Sequence, residues 1–271
     1  MGTKDYVLGT QTDELERLEF QHKVWSEQAF ALWQRAGLRE GQVVLDLGCG
    51  SGFTALELAS VVGGAGRVIA RDQSSAFLAF LAAESERRGL RQIEISAGPA
   101  ETLELPHGSL DAVYSRWLFC WLANPGLVLQ RVAKALRPGG VIVLQEYLDW
   151  AAMKHVPRDP TYDKLVAACM RSWIDAKARI DIAEELPALA AQCGLTVEYF
   201  KPIARVGSPG SMVWRWLQGF YETYLPKLIE RGLLKETELR DGLPLLRPRG
   251  AHDDRLWVAP TMADIVLRKP Q

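Results

Sequence analysis

Cysteine and histidine are scarce in this 271-residue chain, and the few present are scattered. Cys49, Cys120, Cys169 and Cys193 form no Cys-x-x-Cys pair, and His22, His107, His155 and His252 are equally dispersed. That spacing supplies neither a zinc-type ligand set nor a disulfide framework, so the expectation is reduced, buried thiols and no metal. No stretch approaches the roughly 18 consecutive apolar residues of a membrane span. The start, Met1-Gly2-Thr3-Lys4-Asp5, lacks the basic-then-apolar order of a signal peptide. A cytoplasmic protein without a membrane partner is therefore expected. Excess charge is missing too: 32 Lys and Arg against 33 Asp and Glu leave a formal net charge of -1, with no dense basic block. The electrostatic footprint of nucleic-acid binding is absent, and no nucleic-acid partner is expected. The sequence carries no repeat or low-complexity linker, and it sets no oligomeric state.

What is present is an apolar share of 48%, enough for an ordinary core, arranged around one stretch. Val43-Val44-Leu45-Asp46-Leu47 runs into Gly48-Cys49-Gly50-Ser51-Gly52, and Phe53 to Ala59 resumes with helical spacing. Strand, tight loop and helix follow from that order. Without a Cβ, glycine lets a ligand lie against bare backbone, and the next helix offers unpaired N–H groups. Further strands are predicted at Arg67–Asp72, Gln92–Ala97, Leu110–Ser115 and Val141–Tyr147, alternating with helices at Ser74–Arg88 and Pro125–Leu136. Ser74 or Ser75 suits a helix cap, Pro125 a first turn, and Arg137-Pro138-Gly139-Gly140 a turn into the fifth strand. Alternating strands and helices imply a mostly parallel, doubly wound α/β sheet.

Residues 12–36 read as one amphipathic helix ahead of the first strand. Beyond Tyr147 the rhythm changes. Helices are expected at 160–178 and 182–192, an aromatic helical block at 209–240, and strands at 195–200 and 257–267. The division expected is an N-terminal helical lid over 1–40, a ligand-binding core over 41–147, and the remainder of the same domain over 148–271 with helical insertions.

Gly50-Ser51-Gly52-Phe53-Thr54-Ala55 satisfies the dinucleotide fingerprint, with Asp72 near the position of its ribose-binding acid. That match alone suggests an NAD-dependent oxidoreductase, yet the same parts serve any adenosine-containing ligand. The larger set is more specific. The glycine loop, Asp72 ending the second strand, Gly98-Pro99-Ala100-Glu101 after the third, Ser109 to Ser115 at the fourth, and Leu136-Arg137-Pro138-Gly139-Gly140 before the fifth stand in one order. Over residues 41–147 this resembles the class I S-adenosylmethionine-dependent methyltransferases of small-molecule type.

The resemblance implies a Rossmann-like sheet of seven strands whose last strand is antiparallel, with 195–206 and 255–268 as strands six and seven. It implies S-adenosylmethionine as cofactor and S-adenosylhomocysteine as product. Gly48, Gly50 and Gly52 would lie against the amino-acid and ribose portion, with Cys49 in the same cofactor-binding loop and Asp46 fixing it, and Asp72 would accept from the ribose diol, two oxygens matching two hydroxyls. Pro99 departs from the pattern, standing where many relatives have an acid for adenine, so that subsite passes to Gln73, Phe53, Ala100 and Glu101. Arg116 at the fourth strand's end belongs to the same surface. On the N-terminal helix Arg17 or Gln21 would face the cofactor's carboxylate, with Tyr6 closing over it.

Methyl transfer from a sulfonium is an in-line displacement that chiefly needs alignment and exclusion of water, so no catalytic triad is required. If a base assists, His155, Glu146 and Asp149 follow the fifth strand and are the candidates. Trp121 stands where relatives often carry histidine. Nine tryptophans, with Trp117, Tyr147 and Trp150 as proposed walls, suit a flat or apolar small-molecule acceptor. A member that binds the cofactor without transferring methyl is the other alternative.

Overall fold

The computed structural model describes residues 12–250 and 252–271. Helix α1 (Thr12–Ala36) leads into strand β1 (Val43–Leu47), then α2 (Phe53–Val62), β2 (Arg67–Asp72), α3 (Ser75–Arg87), β3 (Ile93–Ala97), β4 (Leu110–Arg116), α4 (Pro125–Ala135) and β5 (Leu136–Asp149). Next come β6 (Lys154–Val156), α5 (Pro160–Asp175), α6 (Leu186–Gln192), β7 (Thr196–Ile203), β8 (Val206–Gly207), α7 (Met212–Glu230), α8 (Glu236–Leu246), β9 (Leu256–Val258) and β10 (Thr261–Arg268). Seven strands form one sheet in the order β3-β2-β1-β4-β5-β10-β7. β1, β2, β3, β4 and β5 pair in parallel, while β10 runs antiparallel to both β5 and β7. The expected seven-stranded sheet with an antiparallel last strand is present.

The local reasons are in the residues. β1 and β2 are buried along most of their length, with aliphatic Val43 to Leu45 and Val68 to Ala70 at their centres, as strands covered by helices on both faces must be. Ser74 caps α3 by accepting from the Phe77 N–H, and Asn124 caps α4 by accepting from Leu127 ahead of Pro125. α1 lays Trp25, Ala29, Leu32 and Trp33 on the sheet, where Trp33 meets Tyr114 edge-on with centroids 5.2 Å apart. Arg205 fixes this helix from the far end of the chain, donating to the Val24 carbonyl at 2.7 Å with its guanidinium over Trp25.

Several boundaries differ from those expected. β5 starts at Leu136 and absorbs the predicted turn: Leu110 pairs with Leu136 and Ala112 with Val141, so Arg137 to Gly140 bulge out, with Gly139 at φ 76°. The strand expected over 195–206 divides into β7 and β8, and that over 255–268 into β9 and β10. The short pieces build a second sheet, β6-β9-β8, against which α5 and α7 pack. Pro260 lies between β9 and β10, where its missing N–H interrupts the ladder.

Candidate active site

The loop after β1 is held by its neighbours. The Gly48 and Cys49 N–H groups both donate to the Arg71 carbonyl at the end of β2, at 2.8 and 3.0 Å. Gly48, Gly50 and Gly52 have φ of 74°, 54° and 84°, a region costly for any residue with a Cβ. At Gly52 a Cβ would sit 2.4 Å from Leu81, whereas at Gly50 the space is open. Asp46 is buried beneath the loop and accepts from the Thr54 hydroxyl at 2.8 Å, tying the strand to the first turn of α2. Burial lifts its carboxyl to about 7, against the opposing pull of the Thr54 hydrogen bond and of Arg116. Burial likewise raises the Cys49 thiol, which stays neutral.

Asp72 is half-buried and oriented by two backbone donors: one oxygen accepts from Gly50 at 2.9 Å and the other from Ser74 at 2.8 Å. A carboxylate has about four acceptor positions, so two remain for a vicinal diol. The residues therefore fit a ribose-bearing cofactor. Arg71 holds the adjoining loop, its guanidinium donating to the Pro99 carbonyl and to the Ser96 and Thr102 hydroxyls. Pro99 and Gln73 are exposed, Ala100 is buried and Glu101 half-buried.

Arg116, at the end of β4, donates to His22 Nδ1 at 3.1 Å. The His22 ring on α1 has its Nε2 3.0 Å from a Glu57 oxygen on α2 and stacks on Phe53 at 5.8 Å. An accepting Nδ1 assigns the ring hydrogen to Nε2, the nitrogen nearer Glu57. Nothing local to His22 or Arg71 signals a site in the sequence; only the fold brings them to the glycine loop, beside Thr54 of the fingerprint. Tyr6 lies outside the described residues.

Beside this surface is a small aromatic cleft that opens to solvent. Trp117, Tyr147 and Trp150, the three walls expected from sequence, all line it, joined by Trp121, Trp173, Trp216 and Phe220. Trp117 stacks between Tyr147 and Trp216, with centroids 5.7 and 6.1 Å away. Trp150 and Trp173 meet at 4.5 Å. Trp117 itself has φ of 56°, a strained conformation for an aromatic residue. Arg17 and Gln21 of α1 supply the polar side. Arg17 is paired with Glu14 at 2.7 Å, and the Gln21 amide oxygen accepts from both Arg17 and the Trp216 indole. Arg17 thus lines the aromatic cavity.

The three candidate bases are not gathered in this cavity. Glu146 is fully buried, and one of its oxygens accepts from the Leu118 and Phe119 N–H groups at 2.9 and 2.8 Å. It anchors the segment that carries Trp117 and Trp121, and burial raises it to about 8 despite those bonds. Asp149 is exposed and accepts from the Ala152 N–H. His155 is buried in the second sheet, its Nδ1 2.7 Å from the Pro157 carbonyl oxygen. A turn and an excursion into the β6-β9-β8 sheet carry these last two away from the cavity. Among the described residues no group of three or more His, Cys, Asp or Glu side chains converges as a metal site requires.

Residues 45–144 match the family described as Methyltransferase domain. With the fold, that match defines the class: the chain carries a class I S-adenosylmethionine-dependent methyltransferase domain. Among particular relatives, thiol S-methyltransferase TMT1B of Homo sapiens is 32% identical over 142 residues, 49% of this chain and 57% of that protein. Demethylmenaquinone methyltransferase of Bacillus licheniformis is 27% identical over 195 residues, 67% of this chain and 81% of that protein. The crystal structure of the cyclase SpnF shares the fold at TM-score 0.57 and 20% identity, covering 90% of this chain and 81% of that one. The chain spans about half the length of several curated relatives it matches. The NAD alternative is not favoured: its fold orders six strands 3-2-1-4-5-6, whereas here an antiparallel strand is inserted beside β5.

Proposed function

We propose that this chain transfers a methyl group from S-adenosylmethionine to an O, N or C atom of a small aromatic or apolar acceptor. The observation that carries the reading is the junction of the two half-sites: Leu118 side-chain carbons lie 3.0 Å from where a Gly48 Cβ would be, and Leu118 adjoins Trp117, which lines the aromatic cavity. The glycine loop and the cavity thus share one wall. The relatives acting on demethylmenaquinone and on thiols support a small acceptor.

In this reading Asp72 takes the ribose hydroxyls, while Gly48, Gly50 and Gly52 let the cofactor approach the backbone. Asp46 holds the loop through Thr54. Gln73, Ala100 and Glu101 border the adenine end, where Arg71 fixes the Pro99 carbonyl. Arg116 and His22 brace α1 over the site. When bound, the cofactor supplies an electrophilic methyl on a sulfonium. The aromatic walls exclude water and hold the acceptor in line, which suits a displacement needing contact at about 3 to 3.5 Å. Among the described residues, no helix is long and apolar enough to cross a membrane. Four unpaired cysteines support a reducing, cytoplasmic setting, and the near-neutral charge supports a small-molecule partner over nucleic acid.

Calorimetric titration with S-adenosylhomocysteine and with NADH tests the cofactor, and tight binding of NADH alone overturns the reading. Incubation with methyl-labelled cofactor and a panel of acceptors tests transfer. Tight cofactor binding without labelled product across that panel favours a member that binds without transferring.

A further inference from the structure

The loop from Gly98 to Glu101 adjoins the carboxylate assigned to the ribose: the Gly98 N–H donates to the Asp72 carbonyl at 2.9 Å, and Ala97 pairs with Asp72 across β3 and β2. A purine on a ribose held by Asp72 therefore meets this loop. The feature that marks adenine there is its 6-amino group, a hydrogen-bond donor, and reading it takes an oxygen with a lone pair to spare. The Pro99 carbonyl has none. It already accepts from Arg71 Nε at 3.2 Å and Nη2 at 3.0 Å, from the Thr102 hydroxyl at 3.1 Å and from the Thr102 N–H at 3.2 Å, several donors on two lone pairs. The proline ring adds no polar atom of its own. Arg71 lies directly beneath, where a Cβ on Gly98 would come 2.8 Å from its Nη2, so the loop is backed by a donor. The Arg71 hydrogen bonds go to neutral oxygens of Pro99, Ser96 and Thr102, and a cation so placed repels the positive hydrogens of an amino group. Pro99 and Gln73 are exposed, which leaves open space along this edge and lets water compete for any contact Gln73 makes. Half-buried Glu101 is the competing reader.

We propose that the cofactor seat does not read the 6-amino group of adenine, so that cofactor analogues altered at that position bind as well as the natural one. This inference rests on the methyl-transfer reading above. Affinity then comes from the ribose diol at Asp72 and from the backbone at Gly48, Gly50 and Gly52. Pro99 sets the specificity, because an acceptor side chain at position 99 supplies the contact that its saturated carbonyl cannot.

The test is calorimetry on the purified full chain with three ligands that share ribose and homocysteine: S-adenosylhomocysteine, its 6-deamino analogue and its 6-dimethylamino analogue. In the wild type both analogues are expected to bind within about threefold of S-adenosylhomocysteine, whereas one charge-assisted bond to the amino group separates them by about tenfold or more. Pro99→Asp and Pro99→Asn put an acceptor beside the purine while keeping the carbonyl. At least one of them should favour S-adenosylhomocysteine over the deamino analogue by about fivefold. Glu101→Ala should leave the wild-type ratios unchanged. Reading ratios within each variant removes any general loss of affinity, and circular dichroism checks the fold. Wild-type discrimination beyond about threefold against either analogue overturns the proposal. So does a ratio that Glu101→Ala shifts, or one that neither substitution at position 99 moves. Failure of S-adenosylhomocysteine itself to bind counts instead against the methyl-transfer reading.

Discussion

Replacing Glu146 by glutamine isolates one buried ionisation and links it to the wall of the site. Burial holds this carboxyl at about 8, against an ordinary 4.5, even though Leu118 and Phe119 donate to it. Each pH unit between those values costs the folded state about 1.4 kcal/mol. The sign follows from the direction: the folded protein keeps the proton that the unfolded chain releases. Stability from the neutral acid is complete below pH 4.5 and declines until the pH passes about 8, by about 5 kcal/mol at most. Asp46 also loses its proton late, at about 7, and adds a decline of the same sign below that pH. The interval from pH 7 to 8.5 therefore belongs mainly to Glu146 and should remove about 1 to 1.5 kcal/mol from the wild type. Glutamine retains an oxygen for both N–H groups and cannot ionise. Urea unfolding at pH 6, 7 and 8.5 should show Glu146→Gln more stable than wild type by about 2 kcal/mol at pH 6, with the margin widening by about 1 to 1.5 kcal/mol between pH 7 and 8.5. Parallel pH profiles for the two proteins would refute the reasoning.

Further outcomes follow from the same geometry. Asp72→Ala should weaken S-adenosylhomocysteine binding by about 1.5 to 3 kcal/mol for each charge-assisted bond lost, read by calorimetry with circular dichroism as the fold check; an unchanged Kd removes Asp72 from the site. Gly52→Ala combines a φ of 84° with a contact 2.4 Å from Leu81, so a loss of about 1 to 3 kcal/mol in stability is expected; a melting temperature equal to wild type contradicts it. His22→Ala cuts the link from α1 to Arg116 and Glu57, and hydrogen exchange in residues 12–36 should speed up by about five- to thirtyfold, equivalent to about 1 to 2 kcal/mol of opening energy. Unaltered exchange there would show that packing of Trp25 and Trp33 suffices.

The parts of the fold that repeat locally were legible in the residues. The β-branched run before Gly48, the cap at Ser74, the first-turn proline Pro125 and helical spacing over 12–36 each act within a few positions, and the corresponding elements stand where expected. Boundaries failed where pairing partners decide. Arg137 to Gly140 have turn chemistry, yet β4 and the last strand draw them into a bulged β5. The short strands β6, β8 and β9 exist only because distant segments meet.

The sequence by itself determined the class of ligand: three glycines, an acid at the end of the next strand and a fixed order of motifs require a backbone-lined seat for an adenosine-bearing cofactor. The tertiary structure decided what surrounds it. Trp117, Trp173 and Trp216 come from three separate elements, and no spacing along the chain predicts that they share a cavity. Nor does any spacing reveal that His155 turns into a second sheet, or that Glu146 spends its oxygen on loop N–H groups. The physical reason is common to all of these: a local motif fixes backbone conformation within a few residues, while burial and side-chain partners arise only when remote segments pack together.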